Sequence, residues 1–312
     1  MKLSIVVPCY NEESVIGETA GRLVRLADGW ISTGLISDFE ILFVDDGSKD
    51  NTLAILKDLA RQNPHIKMIS FSGNFGHQAA LSAGLHHAGG DAAVSLDADL
   101  QDPPEVIEEM LEKYREGCQI VYGVRKERPD DTAFKKYTAH AFYRLMALMG
   151  VNIVYNHADF RLLSRPVLDE LKRFREVNRF LRGIIPTMGF EHAMVYYDRD
   201  RRFAGQTKYP LRRMLSFAVE GITSFSSVPL RIAAFLGLFI FFMSLLLSGW
   251  ALTVYYAGET VPGWASTVLP IYFLGGIQLM FFGILGEYIA KVYMEVKGRP
   301  LYIIREKYNL EN

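Results

Sequence analysis

The chain has 312 residues, half of them hydrophobic and 22% charged. This composition excludes a disordered chain and a fibrous repeat, and its two cysteines, Cys9 and Cys118, exclude a disulfide framework or a cysteine-based zinc site. The net charge of −1 hides an uneven distribution: residues 1–111 carry 7 Lys+Arg and 17 Asp+Glu, residues 112–213 carry 21 and 12, and residues 214–312 carry 6 and 6. An acidic first third suits cation binding, and a basic middle third suits anions.

Apolar runs alternate with helical spacing along the first 125 residues. Strands are predicted at 3–7, 39–44, 66–71, 92–96 and 120–123, with helices at 12–26, 51–61, 77–87 and 104–116. This rhythm predicts an α/β fold with a mostly parallel sheet covered by helices. Ligands bind such sheets beyond the carboxyl ends of the strands. Those ends carry Tyr10-Asn11-Glu12, Asp45-Asp46 and Asp97-Ala98-Asp99, so the acidic charge converges on one edge. The run after Lys2 stops at Pro8, too short for a signal peptide, and none is expected.

Apolar residues at Leu211, Met214, Leu215, Ala218, Val219, Ile222 and Phe225 form a helical stripe, as do Phe134, Tyr137, Phe142, Leu145, Met146 and Met149. The first stripe, within residues 210–230, is expected to lie in the membrane interface. No charge occurs from Ile232 to Gly258 or from Thr260 to Gly286, and each stretch exceeds the roughly 20 residues that cross a bilayer. Arg212, Arg213 and Arg231 precede the first, and Lys291, Lys297, Arg299, Arg305 and Lys307 follow the second. A two-span hairpin over 231–290 is therefore expected, with both termini cytoplasmic. The division is a cytoplasmic domain at 1–209, the interfacial helix at 210–230, the hairpin and a tail at 291–312. Gly275, Gly276, Gly283 and Gly286 would permit close helix packing, including self-association.

Neither G-x-G-x-x-G nor a P-loop is present, so phosphates must be neutralised without a glycine cradle. Asp97 and Asp99 at a strand end, with the amide of Gln101, offer part of an octahedral shell for a hard divalent cation. Asp102, before Pro103 and Pro104, reads as structural.

Three segments then carry a resemblance: Ser4-Ile-Val-Val-Pro-Cys-Tyr-Asn-Glu-Glu13, Val44-Asp-Asp-Gly-Ser48 and Leu96-Asp-Ala-Asp-Leu-Gln-Asp-Pro-Pro104. In this order they resemble the signatures of family 2 glycosyltransferases with the GT-A fold. Gly205-Gln-Thr-Lys-Tyr209, Ser224-Phe-Ser226, the two spans and Gly286-Glu-Tyr288 resemble the polyprenyl-phosphate branch of that family. That branch includes bactoprenol glucosyltransferases and relatives of dolichol-phosphate mannose synthase.

The resemblance implies metal-dependent, inverting transfer of one hexose, glucose first, from a UDP-sugar to a polyprenyl phosphate such as undecaprenyl phosphate. Transfer of another sugar to the same lipid (mannose, an N-acetylhexosamine or a modified arabinose) and a non-catalytic membrane-anchored sugar-nucleotide-binding protein are the alternatives, and no nucleic-acid partner is implied. It places Pro8, Tyr10, Glu12, Asp45, Asp46 and Asp97 at the nucleotide, and Asp97, Asp99 and Gln101 at Mg2+ or Mn2+. Asp159 would be the acceptor-side acid, either taking a proton or orienting the acceptor and balancing arginines. Arg125, Arg179, Arg182 and Lys208 would meet phosphate. One departure stands out: the family often has Arg before Asn-Phe-Gly, and here that position is Gly73.

Overall fold

A computed structural model describes residues 1–126, 157–177, 179–198, 223, 226–257 and 263–310. The chain forms two units, one of residues 1–143, 152–210 and 299–312 and the other of 144–151 and 211–298. The expected stripe at 134–149, nearly all of the expected interfacial helix and Lys208 lie outside the described residues.

The first unit is built on an eight-stranded sheet. Its elements are β1 (Lys2–Cys9), α1 (Ile16–Ser32), β2 (Asp38–Asp45), α2 (Thr52–Gln62), β3 (Ile66–Phe71), α3 (His77–His87), β4 (Ala92–Ser95), α4 (Val106–Arg115), β5 (Ile120–Arg125), β6 (His157–Ser164), α5 (Arg165–Leu171), α6 (Leu181–Thr187), β7 (His192–Tyr197) and β8 (Ile304–Tyr308). The strand order is β7-β5-β6-β4-β1-β2-β3-β8. Pairing is parallel from β3 through β2 and β1 to β4, and between β5 and β7. It is antiparallel where β6 meets β4 and β5, and where β8 meets β3. The sheet is thus mixed, with the order 3-2-1-4 at its centre.

The sequence explains the layers. β1 reads as a continuous apolar run because both of its faces are covered. Leu3, Ile5 and Val7 join a core with Ile16, Ala20, Leu23, Ala27 and Trp30 of α1, spaced at helical intervals along one face. Each large side chain buried this way contributes about 1.5–3 kcal/mol before chain entropy is charged against it. On the other side Leu42, Val44, Ile69 and Phe71 meet the small residues Ala79, Ala80 and Ala83 of α3. That helix lies close to the sheet: a Cβ on Gly84 would sit 2.2 Å from Val6 Cγ1.

The expected cytoplasmic tail contains a strand. Ile304–Tyr308 adds an antiparallel edge to β3, so the first unit takes in residues beyond the apolar helices as well as before them. Its burial alternates residue by residue, which is how an edge strand with Arg305 and Lys307 can read as a solvated charge run.

The second unit contains two long helices, α7 (Val228–Tyr256) and α8 (Trp264–Lys297). Among the described residues, Phe273–Lys297 is long and apolar enough to cross a membrane, and Val228–Met243 is a shorter apolar segment. One candidate span is therefore observed where two were expected. Tyr288 of α8 donates its hydroxyl proton to the carbonyl of Ser226 at 2.6 Å, tying the start of α7 to the far end of α8.

Candidate active site

The carboxyl ends of β1, β2, β4 and β5 share one edge of the sheet, and β6, running the opposite way, begins there. That reversal brings Asp159, near the start of β6, beside residues that follow β4. The edge collects Pro8–Glu12, Asp45–Ser48, Asp97–Gln101, Arg125 and Asp159.

The first two loops brace each other. Asn11 takes a left-handed φ of 55°; its N–H donates to Ser48 Oγ at 2.9 Å, and its side-chain oxygen accepts from the Lys49 N–H at 2.8 Å. The Glu12 N–H donates to Thr52 Oγ1 at 2.8 Å. Asp45 is buried and accepts from Ser70 Oγ at 2.9 Å and from the Ser48 N–H at 3.1 Å. Pro8 is buried in β1 opposite Val44, whereas Tyr10 stands exposed at the rim.

Asp46 has local work. Its two oxygens accept from the N–H groups of Phe75 at 2.7 Å and Gly76 at 2.9 Å, fixing the loop that leads into α3. Burial pushes its carboxyl up, while those two N–H bonds pull the other way. Gly47 completes the turn at φ +69°, and a Cβ there would lie 2.5 Å from the Gly73 carbonyl carbon. At Gly73 itself a Cβ would meet nothing within 4 Å, so packing does not impose the departure from the family's Arg.

The acidic and basic sides meet around Asp159, which is buried. Arg161 Nη2 donates to its Oδ1; Arg182 adds Nε to Oδ1 at 3.2 Å and Nη2 to Oδ2 at 3.0 Å. Gln78 Nε2 donates to Oδ2 at 3.3 Å, while Gln78 Oε1 accepts from the Leu181 N–H at 3.3 Å, joining the starts of α3 and α6. His77 Nε2 lies 3.4 Å from Asp159 Oδ2 and 3.7 Å from Asp97 Oδ1, so one ring spans both acids. Burial alone would raise the Asp159 carboxyl, but His77, Arg161 and Arg182 hold it well below the usual carboxylate range. Burial opposes charging of His77, and Asp159 and Asp97 outweigh it, raising the imidazole. Asp97 is pushed up by desolvation, with Asp159, Asp102 and Asp99 adding repulsion against the pull of His77.

Asp99 accepts from the Gln101 N–H at 3.1 Å across a turn in which Leu100 has φ 53°. Gln101 is buried, and its Oε1 has no hydrogen-bond partner among the described residues. Among the described residues no three His, Cys, Asp or Glu side chains converge as a complete metal site. Two carboxylates and an orphaned amide oxygen still fit a hard cation that takes its remaining ligands from a diphosphate, the usual arrangement for Mg2+. The donor types fit, and the shell is incomplete without substrate.

The arginines divide. Arg182 faces Asp159 and is partly exposed. Arg125 gives Nε and Nη2 to buried Asp102 at 2.9 and 2.8 Å, and Tyr197 donates its hydroxyl proton to the same carboxylate at 2.7 Å. Arg179 donates Nη2 to the Phe174 carbonyl at 2.6 Å. Three residues escaped the sequence reading. His77 and Gln78 sat unassigned at the start of a predicted helix, and Arg161, two residues after Asp159, carried no assigned role.

A mixed sheet of order 3-2-1-4, with a D-x-D at the switch and a caged carboxylate beside it, suits transfer from a nucleotide-activated group. The profile of Glycosyl transferase family 2 matches residues 4–172, more than half of the chain. The chain belongs to that family and is a glycosyltransferase with a GT-A-like fold. The SfII prophage-derived bactoprenol glucosyl transferase of Shigella flexneri is 41% identical over 314 residues, covering 99% of each chain. A prophage bactoprenol glucosyl transferase homolog of Escherichia coli (strain K12) is 42% identical over 308 residues, covering 98% of this chain and 99% of its own. The glycosyltransferase YkoT of Bacillus subtilis (strain 168) is 52% identical over 305 residues, covering 97% and 90%.

Proposed function

We propose that this glycosyltransferase moves a single hexose, glucose first, from a UDP-sugar to a polyprenyl phosphate of the undecaprenyl kind, with inversion, at the cytoplasmic membrane face. The observation that carries this reading is one sheet edge where Asp97 and Asp99 stand beside Asp159 in its cage of Arg161, Arg182 and His77. One side suits a cation and diphosphate, and the other suits an anionic acceptor. The bactoprenol glucosyl transferases that align over nearly the whole chain support the lipid acceptor.

Asp97, Asp99 and the Gln101 amide oxygen would hold Mg2+ or Mn2+; when bound, that ion neutralises the charge gathering on the departing diphosphate. The β1 and β2 loops would receive the nucleotide, with Asp45 fixed by Ser70 and Ser48. Tyr10, exposed at the rim, would cover the base, and Asp46, which holds the 73–76 loop, would shape the pocket beside Asp45. A phosphate acceptor is already ionised at neutral pH and needs no strong base. Asp159, held ionised by its cations, is suited to orienting Arg182 and balancing its charge, and poorly suited to taking a proton. Arg182, partly exposed, is the cation placed to meet the incoming phosphate; Arg125 acts through Asp102.

Chain parity supports a two-crossing membrane arrangement. β8 is hydrogen-bonded to β3, so residues before and after the two apolar helices share one compartment. Any crossing between them must occur an even number of times. The apolar candidate in α8 therefore calls for a second crossing, and α7, with 29 residues and no charge after Arg231, can supply it at about 1.5 Å per residue.

The purified full chain, incubated with undecaprenyl phosphate and UDP-glucose, UDP-galactose, UDP-N-acetylglucosamine or GDP-mannose, is expected to yield a lipid heavier by one hexose, with UDP-glucose preferred. Sugar-nucleotide turnover with no glycolipid, or chains of several sugars, would overturn the assignment.

A further inference from the structure

The segment that follows α8 does more than close the edge of the sheet. The Ser72 N–H donates to the Ile303 carbonyl at 2.9 Å, and the β3–β8 register shifts between Ser70 and Phe71. The Tyr302 ring stacks on Phe71 with centroids 4.9 Å apart and planes 8° apart. Phe71 in turn meets the ring of Phe75 edge-on at 5.7 Å. Leu301, Tyr302, Ile304 and Leu310 pack on the core cluster that holds Ala79, Ala80 and Ala83 of α3. The strap is pinned further along, where Lys57 meets Glu306 at 2.8 Å and Asn309 Nδ2 donates to the carbonyls of Ala60 at 2.7 Å and Ile66 at 2.9 Å.

Phe75 is the residue whose N–H Asp46 holds, and one residue later Gly76 opens α3. The next two side chains, His77 and Gln78, are those that reach Asp97 and Asp159. Rings and backbone thus run without a gap from Tyr302 through Phe71 and Phe75 to His77. The loop between is clamped from inside by one carboxylate and from outside by one aromatic stack. Offset ring pairs of this kind are directional, so losing one alters where the next ring sits as well as how much area is buried.

We propose that Tyr302 is a positioning residue: the C-terminal strap sets the 73–78 loop from outside, and so sets His77 and Gln78 against the acids of the sheet edge. The activity part of this claim rests on the proposed transfer reaction; the structural part does not. The contact joins the catalytic edge to the stretch that emerges from an apolar helix, so damage to the strap reaches the chemistry without touching substrate.

The test compares Tyr302→Ala, Tyr302→Phe, His77→Ala and the Tyr302→Ala/His77→Ala pair in the full chain, with UDP-glucose and undecaprenyl phosphate. Tyr302→Ala is expected to lower kcat on the order of tenfold, the scale of a modest misplacement, with KM for UDP-glucose and UDP affinity within about twofold. Tyr302→Phe keeps the stack and is expected to match the parent. Adding Tyr302→Ala to His77→Ala is expected to cost less than the single-variant loss, because one of the two groups it positions is already gone. Hydrogen exchange of the 72–78 amides, read without substrate, is expected to quicken in Tyr302→Ala and not in Tyr302→Phe. Unchanged exchange there, a Tyr302→Phe defect equal to that of Tyr302→Ala, or a full additional loss in the His77→Ala background would overturn the proposal. A parent chain inactive with every donor would sink the transfer reading instead, leaving the exchange comparison to decide this one.

Discussion

Asp159 concentrates the electrostatics of the site on one carboxylate. Its partner Arg161 is fully buried, and burial lowers that guanidinium's affinity for its proton, with Asp159 offsetting only part of the effect. Arg161 Nε and Nη1 are buried without hydrogen-bond partners among the described residues, where the ion pair is the main compensation for a desolvated charge. Removing one member of such a pair costs about 3–5 kcal/mol. Asp159→Asn is therefore expected to lower the unfolding free energy on that scale, read by denaturant titration in detergent; a loss under about 1 kcal/mol would show that Arg161 is solvated by other means. The pH dependence has a definite sign. A carboxylate held below its ordinary value stabilises the fold fully above its unfolded pKa, about 3.9, and loses that contribution as pH falls through its folded one. The parent should lose stability on acidification below that point, and Asp159→Asn should show a flatter acid limb. An identical acid limb in both would assign the loss to other carboxylates.

Elements decide which residues can meet, and they also decide what could be read in advance. The predicted strand at 66–71 and helix at 77–87 coincide with β3 and α3, because each is a largely apolar run bounded by turn residues and buried along most of its length. Asp45, Asp97 and Asp99 were legible as residues of the sheet edge for the same reason: each ends or follows a run that reads as a buried strand. His77 was not, since its partner Asp159 lies on β6, a strand running against its neighbours, and local periodicity says nothing about such a return. β8 was hidden by its own alternation of charge, and the pairing of Arg125 with Asp102 was hidden because the two are distant in sequence and Asp102 had been read only as structural. At the turn after β2, Gly47→Ala is expected to destabilise the fold by at least about 1 kcal/mol, because it places a side chain at positive φ and drives Cβ into the Gly73 backbone. An unchanged melting temperature would mean that the 73–76 loop yields easily, which would also weaken the case for its positioning role.

At the scale of the whole molecule, the sheet is closed by a strand from beyond the apolar helices, so the proposed pair of crossings would leave both termini on one side. A reporter fused after Asn312 and one fused before Met1 should both report the cytoplasm; a translocated C-terminal reporter in an active fusion would contradict the pairing of β8 with β3. The uneven charge also finds its place here. The acidic first third supplies the carboxylates of the sheet edge, and the basic middle third supplies Arg161 and Arg182 around Asp159. The most direct measurement is the mass of the lipid product formed from UDP-glucose and undecaprenyl phosphate by the parent chain and by Asp99→Asn, each with Mg2+ and with excess EDTA. A hexosyl-lipid from the parent with Mg2+ alone, and none from a folded Asp99→Asn, is the predicted result. Comparable product from Asp99→Asn, or from the parent in EDTA, would contradict it.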